Sequence, residues 1–246
     1  MSEHVQSLER GLAVIRSFHA EAPSRTLSEV ARATGLNRAT ARRFLLTLAG
    51  LGYVRSDGRD FALTPRVLEL GYAYLSGLGL PEIAQPHLEA LSHEVGESAS
   101  ASVLDGADIV YVARVPVRRI MSVRLTVGTR LPAAATSMGR VLLAALPDAE
   151  RDAVIARLPE TPAAARRLVA AVREAREQGW ALVDQELEPG LCSIAVPLHA
   201  EGRVVAAINV AVAASSDAAE RLRSVVLPAL RTAAARIEDD IAHVGG

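Results

Sequence analysis

The stretch that decides the fold is Thr26-Leu27-Ser28-Glu29-Val30-Ala31-Arg32-Ala33-Thr34-Gly35-Leu36-Asn37-Arg38-Ala39-Thr40-Ala41-Arg42-Arg43-Phe44-Leu45-Leu46. Thr26 and Glu29 have the spacing of a capping box, so a short helix is expected to begin at Leu27. Gly35 suits the left-handed backbone that ends a helix, and Asn37 is a favoured N-cap for the next one. Two helices joined by about three residues form a helix-turn-helix.

The second helix divides into an apolar face and a basic face. Its apolar residues, at helical spacing, are Ala41, Phe44, Leu45 and Leu48. The residues predicted to contact DNA are Arg38, Ala39, Thr40, Arg42 and Arg43. Arginine reads guanine edges or binds phosphate, and alanine can contact a thymine methyl group. The alternative is an ordinary helical hairpin with solvated arginines.

A small hairpin follows the helix pair at once. Residues 52–55 and 61–64 are predicted strands, and Asp57-Gly58 between them is a turn signal. The pattern is that of a winged helix-turn-helix, in which Arg59 of the wing is expected to contact phosphate. A helix over residues 5–20 and a loop at 22–24 precede it. A winged helix used only for protein contacts is a further alternative, which Arg42 and Arg43 disfavour.

Composition bounds the remaining possibilities. The chain has 246 residues, of which 50% are hydrophobic and 3% aromatic, which suits one large or two modest domains with aliphatic cores. All 27 basic residues are arginine, and the net charge of −1 disfavours a histone-like DNA coat. Residues 1–66 nevertheless hold ten arginines against six acidic residues. A basic end on a neutral chain fits one DNA-reading module on a different body.

The single cysteine and the absence of long apolar runs predict a cytoplasmic protein. Cys192 alone cannot form an intrachain disulfide, which fits a reducing compartment. No secretory signal and no membrane span are predicted.

The order of predicted elements indicates an α+β fold with a largely antiparallel sheet. A linker helix is expected over residues 66–78, and another helix runs from Pro81 to Val95. The predicted strands cover residues 98–104, 109–114, 120–127, 180–185, 192–198 and 204–211. The later helices cover residues 137–146, 147–158, 163–178 and 217–242. The predicted domains are 1–64 for DNA binding, 65–79 for the linker and 80–246 for a second function.

The last two strands carry no charge on either face, so both faces are predicted to be buried. One face is bulky, and the other is small apart from two polar residues, Ser193 and Asn209. Small residues suit close helix packing, but they equally suit a cavity whose few polar groups orient a ligand. The residues alone leave both alternatives open, and the family resemblance given below favours the cavity.

The sequence gives little evidence for a catalytic site or a metal site. Cys192 lacks a convincing base, so a packing role is favoured over a nucleophile. His87 and His93 lie six residues apart, whereas a metal pair on a helix needs three or four. We therefore predict no enzyme activity, no metal and no cofactor. The rival interpretation is an enzyme that uses the C-terminal cavity.

Taken together, the motifs resemble the IclR family of bacterial transcription regulators. The segments that carry the resemblance are residues 27–31, 51–54, 128–132, 138–144 and 193–197. The resemblance implies a winged helix-turn-helix, a linker helix and a GAF-like effector domain. It also implies a homodimer or dimer of dimers on operator DNA. Residues 64–71 and 118–123 resemble the subgroup that controls protocatechuate and 4-hydroxybenzoate breakdown through the β-ketoadipate pathway.

The resemblance and the helix signals together predict a small carboxylate effector, most simply an aromatic acid; a non-aromatic metabolite is the alternative. Backbone N–H groups at the start of the helix after Thr136 suit a carboxylate. The predicted effector site comprises Thr136, Ser137, Met138, Ser193, Asn209, Asp184 and Arg124, the last as a reserve partner of the carboxylate.

Overall fold

The chain folds into two compact units, which divide between Gly77 and Leu78. The structure, a computed structural model, describes residues 5–19, 21–70, 79–117, 125–157 and 161–244. Within the described part of the chain, no helix is both long and apolar enough to cross a membrane.

The first unit begins with helices α1 (Gln6–Arg16), α2 (Leu27–Thr34) and α3 (Arg38–Gly50). The predicted local signals are all present. The hydroxyl of Thr26 accepts the N–H of Glu29, and the Glu29 carboxylate accepts the N–H of Thr26. Gly35 ends α2 with a φ of 67°, and the Asn37 side chain accepts the N–H of Thr40. The turn geometry therefore follows from side chains that the sequence alone identifies.

The wing is a three-stranded sheet. Strands β1 (Ser24–Thr26), β2 (Val54–Ser56) and β3 (Asp60–Leu63) are antiparallel in the order β1-β3-β2. The prediction missed β1, because it placed Ser24 in a loop. The free edge of β3 pairs with this short segment, and no side-chain pattern in three residues indicates that pairing.

The second unit is built on one antiparallel sheet covered on both faces. Its strands are β4 (Ser98–Asp105), β5 (Asp108–Val115), β6 (Arg130–Pro132), β7 (Ala181–Asp184), β8 (Leu191–Ala200) and β9 (Arg203–Ala213), in the order β6-β5-β4-β9-β8-β7. Its helices are α4 (Leu80–Val95), α5 (Ser137–Ala145), α6 (Asp148–Ile155), α7 (Pro162–Gln178), α8 (Ala218–Arg221) and α9 (Leu227–Val244). The α+β prediction and the antiparallel sheet are confirmed.

The two faces of the sheet have different chemistry, as predicted. Cys192, Ile194 and Val196 point to the face that packs against α4, α8 and α9. Ala195 and Ala207 point to the face that packs against α5 and α7. Small side chains on this second face leave space between the sheet and its helices.

Two predicted elements differ in part from the structure and lie partly outside the described residues. Of the linker helix, Pro65–Leu68 forms a 3-10 helix and residues 69–70 are α-helical, while residues 71–78 lie outside the described residues. The predicted strand over 120–127 also falls mostly outside them, and residues 125–127 are not in a strand. The domain boundaries within 65–79 therefore remain a prediction.

The final helix is interrupted by a π-helical turn at Leu222–Val226. Pro228 lies two residues after this turn, and a proline has no N–H to donate to the preceding turn. A wider turn just before the proline relieves this conflict without ending the helix. The predicted single helix over 217–242 thus becomes α8, the π turn and α9.

Candidate functional site

Helix α3 presents a basic surface to solvent. Arg38, Ala39, Arg42 and Arg43 are exposed, and Thr40 is half-buried. The opposite face is fixed by three buried residues: Ala41, Leu45 and Leu48. Because that face is anchored in the unit's core, the arginines are held outward on a rigid element, as a helix that enters a major groove requires.

The wing turn is held by the side chain of Asp57. Its carboxylate accepts the N–H of Asp60 at 2.8 Å and that of Arg59 at 3.0 Å. These backbone hydrogen bonds hold the pKa of Asp57 below its usual value, and the bond from Asp60 has the larger effect on the pKa. The turn leaves Arg59 exposed.

A narrow cavity opens between the small-residue face of the sheet and the start of α5. Its lining residues are Tyr111, Arg114, Leu125, Ala135, Thr136, Val183, Leu187, Leu191, Ser193, Asn209 and Ala211. The space open to a water-sized sphere is about 20 Å³. That volume accommodates about one water molecule, so a larger ligand must displace part of the wall.

A polar row crosses three adjacent strands beside this cavity. Arg114 on β5 pairs with Ser100 on β4, and Ser100 pairs with Asn209 on β9. Nη1 of Arg114 donates to the Ser100 hydroxyl at 3.0 Å. Nε of Arg114 and Oδ1 of Asn209 are buried and have no hydrogen-bond partner within the described ranges. Buried polar atoms are seldom left unpaired, so these two atoms mark a site that a ligand can complete.

Burial also changes the acid–base properties of the cavity wall. Desolvation raises the pKa of Tyr111 to about 12, because burial disfavours the phenolate. Desolvation likewise lowers the pKa of Arg114 from its usual value by disfavouring the guanidinium. At neutral pH the wall therefore offers a neutral phenol and a poorly solvated cation.

The start of α5 is already tightly bonded to its surroundings. The Thr136 hydroxyl caps the helix by accepting the N–H of Gly139 at 3.0 Å. The Ser137 and Ser193 hydroxyls are 2.9 Å apart, and the Ser102 hydroxyl donates to the Met138 sulfur at 3.2 Å.

The structure brings together some of the predicted effector residues. Thr136, Ser193 and Asn209 line the cavity, whereas Ser137 and Met138 are buried next to it and do not. Asp184 is exposed, and its Oδ1 accepts a hydrogen bond from the Cys192 thiol with an S···O distance of 2.7 Å. This contact lies on the other side of the sheet, so Asp184 is not part of the cavity. Arg124 lies outside the described residues.

Sequence reasoning missed Tyr111 and Arg114. In a regular strand, residues three apart point to opposite faces. A β-bulge in β5, opposite Ala101 and Ser102, adds Val112 and brings Tyr111 and Arg114 to the same face. The only available signal was an arginine at the end of an otherwise apolar strand.

A wider groove of about 770 Å³ lies elsewhere in the second unit, near the β8–β9 turn. Two of its arginines are already engaged. Arg176 pairs with Asp148 at 2.7 Å, and Arg231 donates to the carbonyl of Gln178 at 3.3 Å. The groove is more open and no buried unpaired polar atom faces it among the described residues, so the smaller cavity is the better ligand site.

A winged helix-turn-helix joined to a separate unit with a polar cavity defines a ligand-responsive transcription regulator. Residues 7–58 match the IclR helix-turn-helix domain, and residues 72–239 match the bacterial transcriptional regulator IclR C-terminal domain. The protein belongs to the IclR family of DNA-binding transcription regulators, not to a family of enzymes.

Several relatives share nearly the whole chain. The Pca regulon regulatory protein of Pseudomonas putida is 44% identical over 94% of this chain and 82% of its own length. The p-hydroxybenzoate hydroxylase transcriptional activator of Acinetobacter baylyi is 34% identical over 94% of this chain and 90% of its own. The predicted resemblance to the protocatechuate and 4-hydroxybenzoate subgroup agrees with these similarities.

Two solved structures match the fold closely. A transcriptional regulator from Rhodococcus sp. RHA1 is 59% identical, covers 98% of this chain and 100% of its own, and has a TM-score of 0.84. An IclR homologue from Microbacterium hydrocarbonoxydans, in complex with 4-hydroxybenzoate, is 26% identical, covers 96% and 99% of the two chains, and also has a TM-score of 0.84.

Proposed function

We propose that this regulator binds a small aromatic carboxylate in the polar cavity and thereby controls genes for aromatic-acid breakdown. The observation that carries the proposal is the pair of buried polar atoms of Arg114 and Asn209 beside the cavity, which have no hydrogen-bond partner among the residues that the structure describes. The relatives support the choice of effector, because one is named for p-hydroxybenzoate hydroxylase and a solved homologue holds 4-hydroxybenzoate.

Binding of such a ligand requires the cavity to open. Leu187 lies in the loop between β7 and β8, whereas Tyr111 and Asn209 are in strands of the sheet. Loops move with less loss of packing and hydrogen bonding than sheet strands do. We therefore infer that the loop carrying Leu187 moves aside when the ligand binds, while Arg114, Ser100 and Asn209 keep their positions in the sheet.

Replacement of Asn209 by leucine tests the cavity. The variant should bind 4-hydroxybenzoate about 10- to 100-fold more weakly in calorimetry, because a polar group of the ligand loses its partner. The unfolding midpoint without ligand should not fall, because the substitution removes a buried oxygen that lacks a partner in the described part of the chain. Operator affinity should be unchanged.

The companion variant Asn209→Ala removes the amide without filling the space, and it separates loss of the hydrogen bond from blockage by leucine. Unchanged 4-hydroxybenzoate affinity in a folded Asn209→Leu protein would place the effector elsewhere.

For DNA binding, the proposed contact residues are Arg38, Ala39, Thr40, Arg42, Arg43 and Arg59. A bacterial regulator must reach the chromosome, so we place the protein in the cytoplasm, with operator DNA as its partner.

We also propose that the working unit is a homodimer or a dimer of dimers. One recognition helix covers only a few base pairs, and two-fold readers place half-sites about one helical turn apart or multiples of it. Sedimentation at micromolar concentration should show a dimer or tetramer, with or without operator. A strictly monomeric protein with full operator affinity would contradict this proposal.

A further inference from the structure

The cavity wall has one cationic end and one amide end. Arg114 and Asn209 lie in register on the two strands that flank β4. Neighbouring strands are about 4.8 Å apart, so the backbones of the two residues are separated by roughly 10 Å. A small ring with polar groups at both ends would span this interval once the cavity has opened.

The cationic end is electrostatically incomplete. The Arg114 guanidinium donates from Nη1 to Ser100, but its Nε–H is buried without an acceptor among the described residues. None of the described residues that line the cavity is acidic. A cation that is partly withdrawn from water is stabilised by a nearby anion, and a planar carboxylate matches the donor fork of a guanidinium.

The amide end requires a different group. Oδ1 of Asn209 is a buried acceptor without a donor in the described structure, and Asn209 is only 6% exposed. A ligand hydroxyl can donate to the amide oxygen. If the amide is rotated so that its nitrogen takes the place of the oxygen, the same ligand hydroxyl accepts a hydrogen bond from the amide N–H. Either way, the wall pairs with a hydroxyl and not with a second carboxylate.

We propose that Arg114 anchors the effector's carboxylate while Asn209 binds a hydroxyl at the other end of the ligand. The site therefore selects a small hydroxy acid whose acidic and hydroxyl groups lie at opposite ends. This inference rests on the proposed function and differs from anchoring at the start of α5, where Thr136 already caps Gly139. Arg114 is thus a specificity-determining residue of the effector site.

The test measures binding of three probes by calorimetry: 4-hydroxybenzoate, 4-hydroxybenzamide and benzoate. The wild-type protein should prefer 4-hydroxybenzoate to its amide by about 10- to 100-fold, because the amide carries no charge for Arg114. The Arg114→Met variant should bind the acid and the amide about equally. The Asn209→Leu variant should lose the preference for 4-hydroxybenzoate over benzoate.

Arg130→Met is the matched control. Arg130 lies on β6, beside β5, and pairs with Asp105 and Asp108 outside the cavity. This variant removes the same charge from a neighbouring strand and should retain both preferences. If Arg114→Met does not fold, Arg114→Lys keeps the charge without the planar fork, and it should weaken acid binding while leaving amide binding unchanged.

The outcomes separate the two proposals. If the wild-type protein binds none of the three probes, the proposed function fails. If it binds 4-hydroxybenzoate and a folded Arg114→Met variant keeps the full preference for acid over amide, the Arg114 anchor is overturned. Anchoring at the start of α5 would then account for the binding.

Discussion

Replacing Arg42 and Arg43 together with alanine should lower operator affinity at least about 100-fold at fixed salt. A base-reading arginine contributes roughly 1–3 kcal/mol, and a phosphate contact adds to the salt dependence of binding. Both side chains are exposed on a helix whose other face is buried, so their removal should leave the fold intact. The measurement is a binding titration at several salt concentrations. The salt dependence should become shallower for each phosphate group that the variant no longer neutralises.

The matched control replaces another adjacent pair, Arg166 and Arg167, with alanine. These arginines are exposed on α7 in the second unit, and their replacement removes the same net charge from the protein. Operator affinity should stay close to that of the wild type. If a folded Arg42→Ala/Arg43→Ala protein bound the operator as tightly as this control, α3 would not be the recognition helix.

The Gly139→Ala substitution should destabilise the second unit by about 3 kcal/mol or more. A Cβ at this position would lie 2.1 Å from the carbonyl oxygen of Ala133 and 2.3 Å from its Cα. These are backbone atoms of the 3-10 turn Ala133–Ala135, so no side-chain rotation relieves the clash. Because Ala135 and Thr136 line the cavity, effector binding should weaken as well. Thermal and denaturant unfolding measure the change.

Gly50→Ala is the control for the general effect of a methyl group on a helix. A Cβ at Gly50, the last residue of α3, meets nothing within 4 Å. Alanine is the better helix former, so stability should stay the same or rise by up to about 1 kcal/mol. Equal stability of the Gly139→Ala protein and the wild type would show that α5 can move away from the turn at little cost.

Local signals made the DNA-binding unit predictable from sequence. The capping box of Thr26 and Glu29 and the N-cap of Asn37 depend on residues three apart, and the structure reproduces both. The alternation in β8 and β9 likewise identified Ser193 and Asn209 as facing one side, because the period of a strand fixes direction.

The cavity's cationic end was not predictable in the same way. Arg114 joins Asn209 only through the pairing of β5, β4 and β9, and Tyr111 joins it only through the bulge at Val112. Neither strand order nor an extra residue leaves a pattern in a single sequence. The prediction that Asp184 lies in the effector site was wrong because successive residues of a strand face opposite sides: its neighbour Val183 faces the cavity, so Asp184 faces away.

The small size of the cavity couples effector binding to a change in the shape of the cavity wall. With room for about one water molecule, the resting protein offers an aromatic ring no preformed seat. Binding of a ring therefore requires a conformation in which part of the wall has moved, and the bound ligand stabilises that conformation.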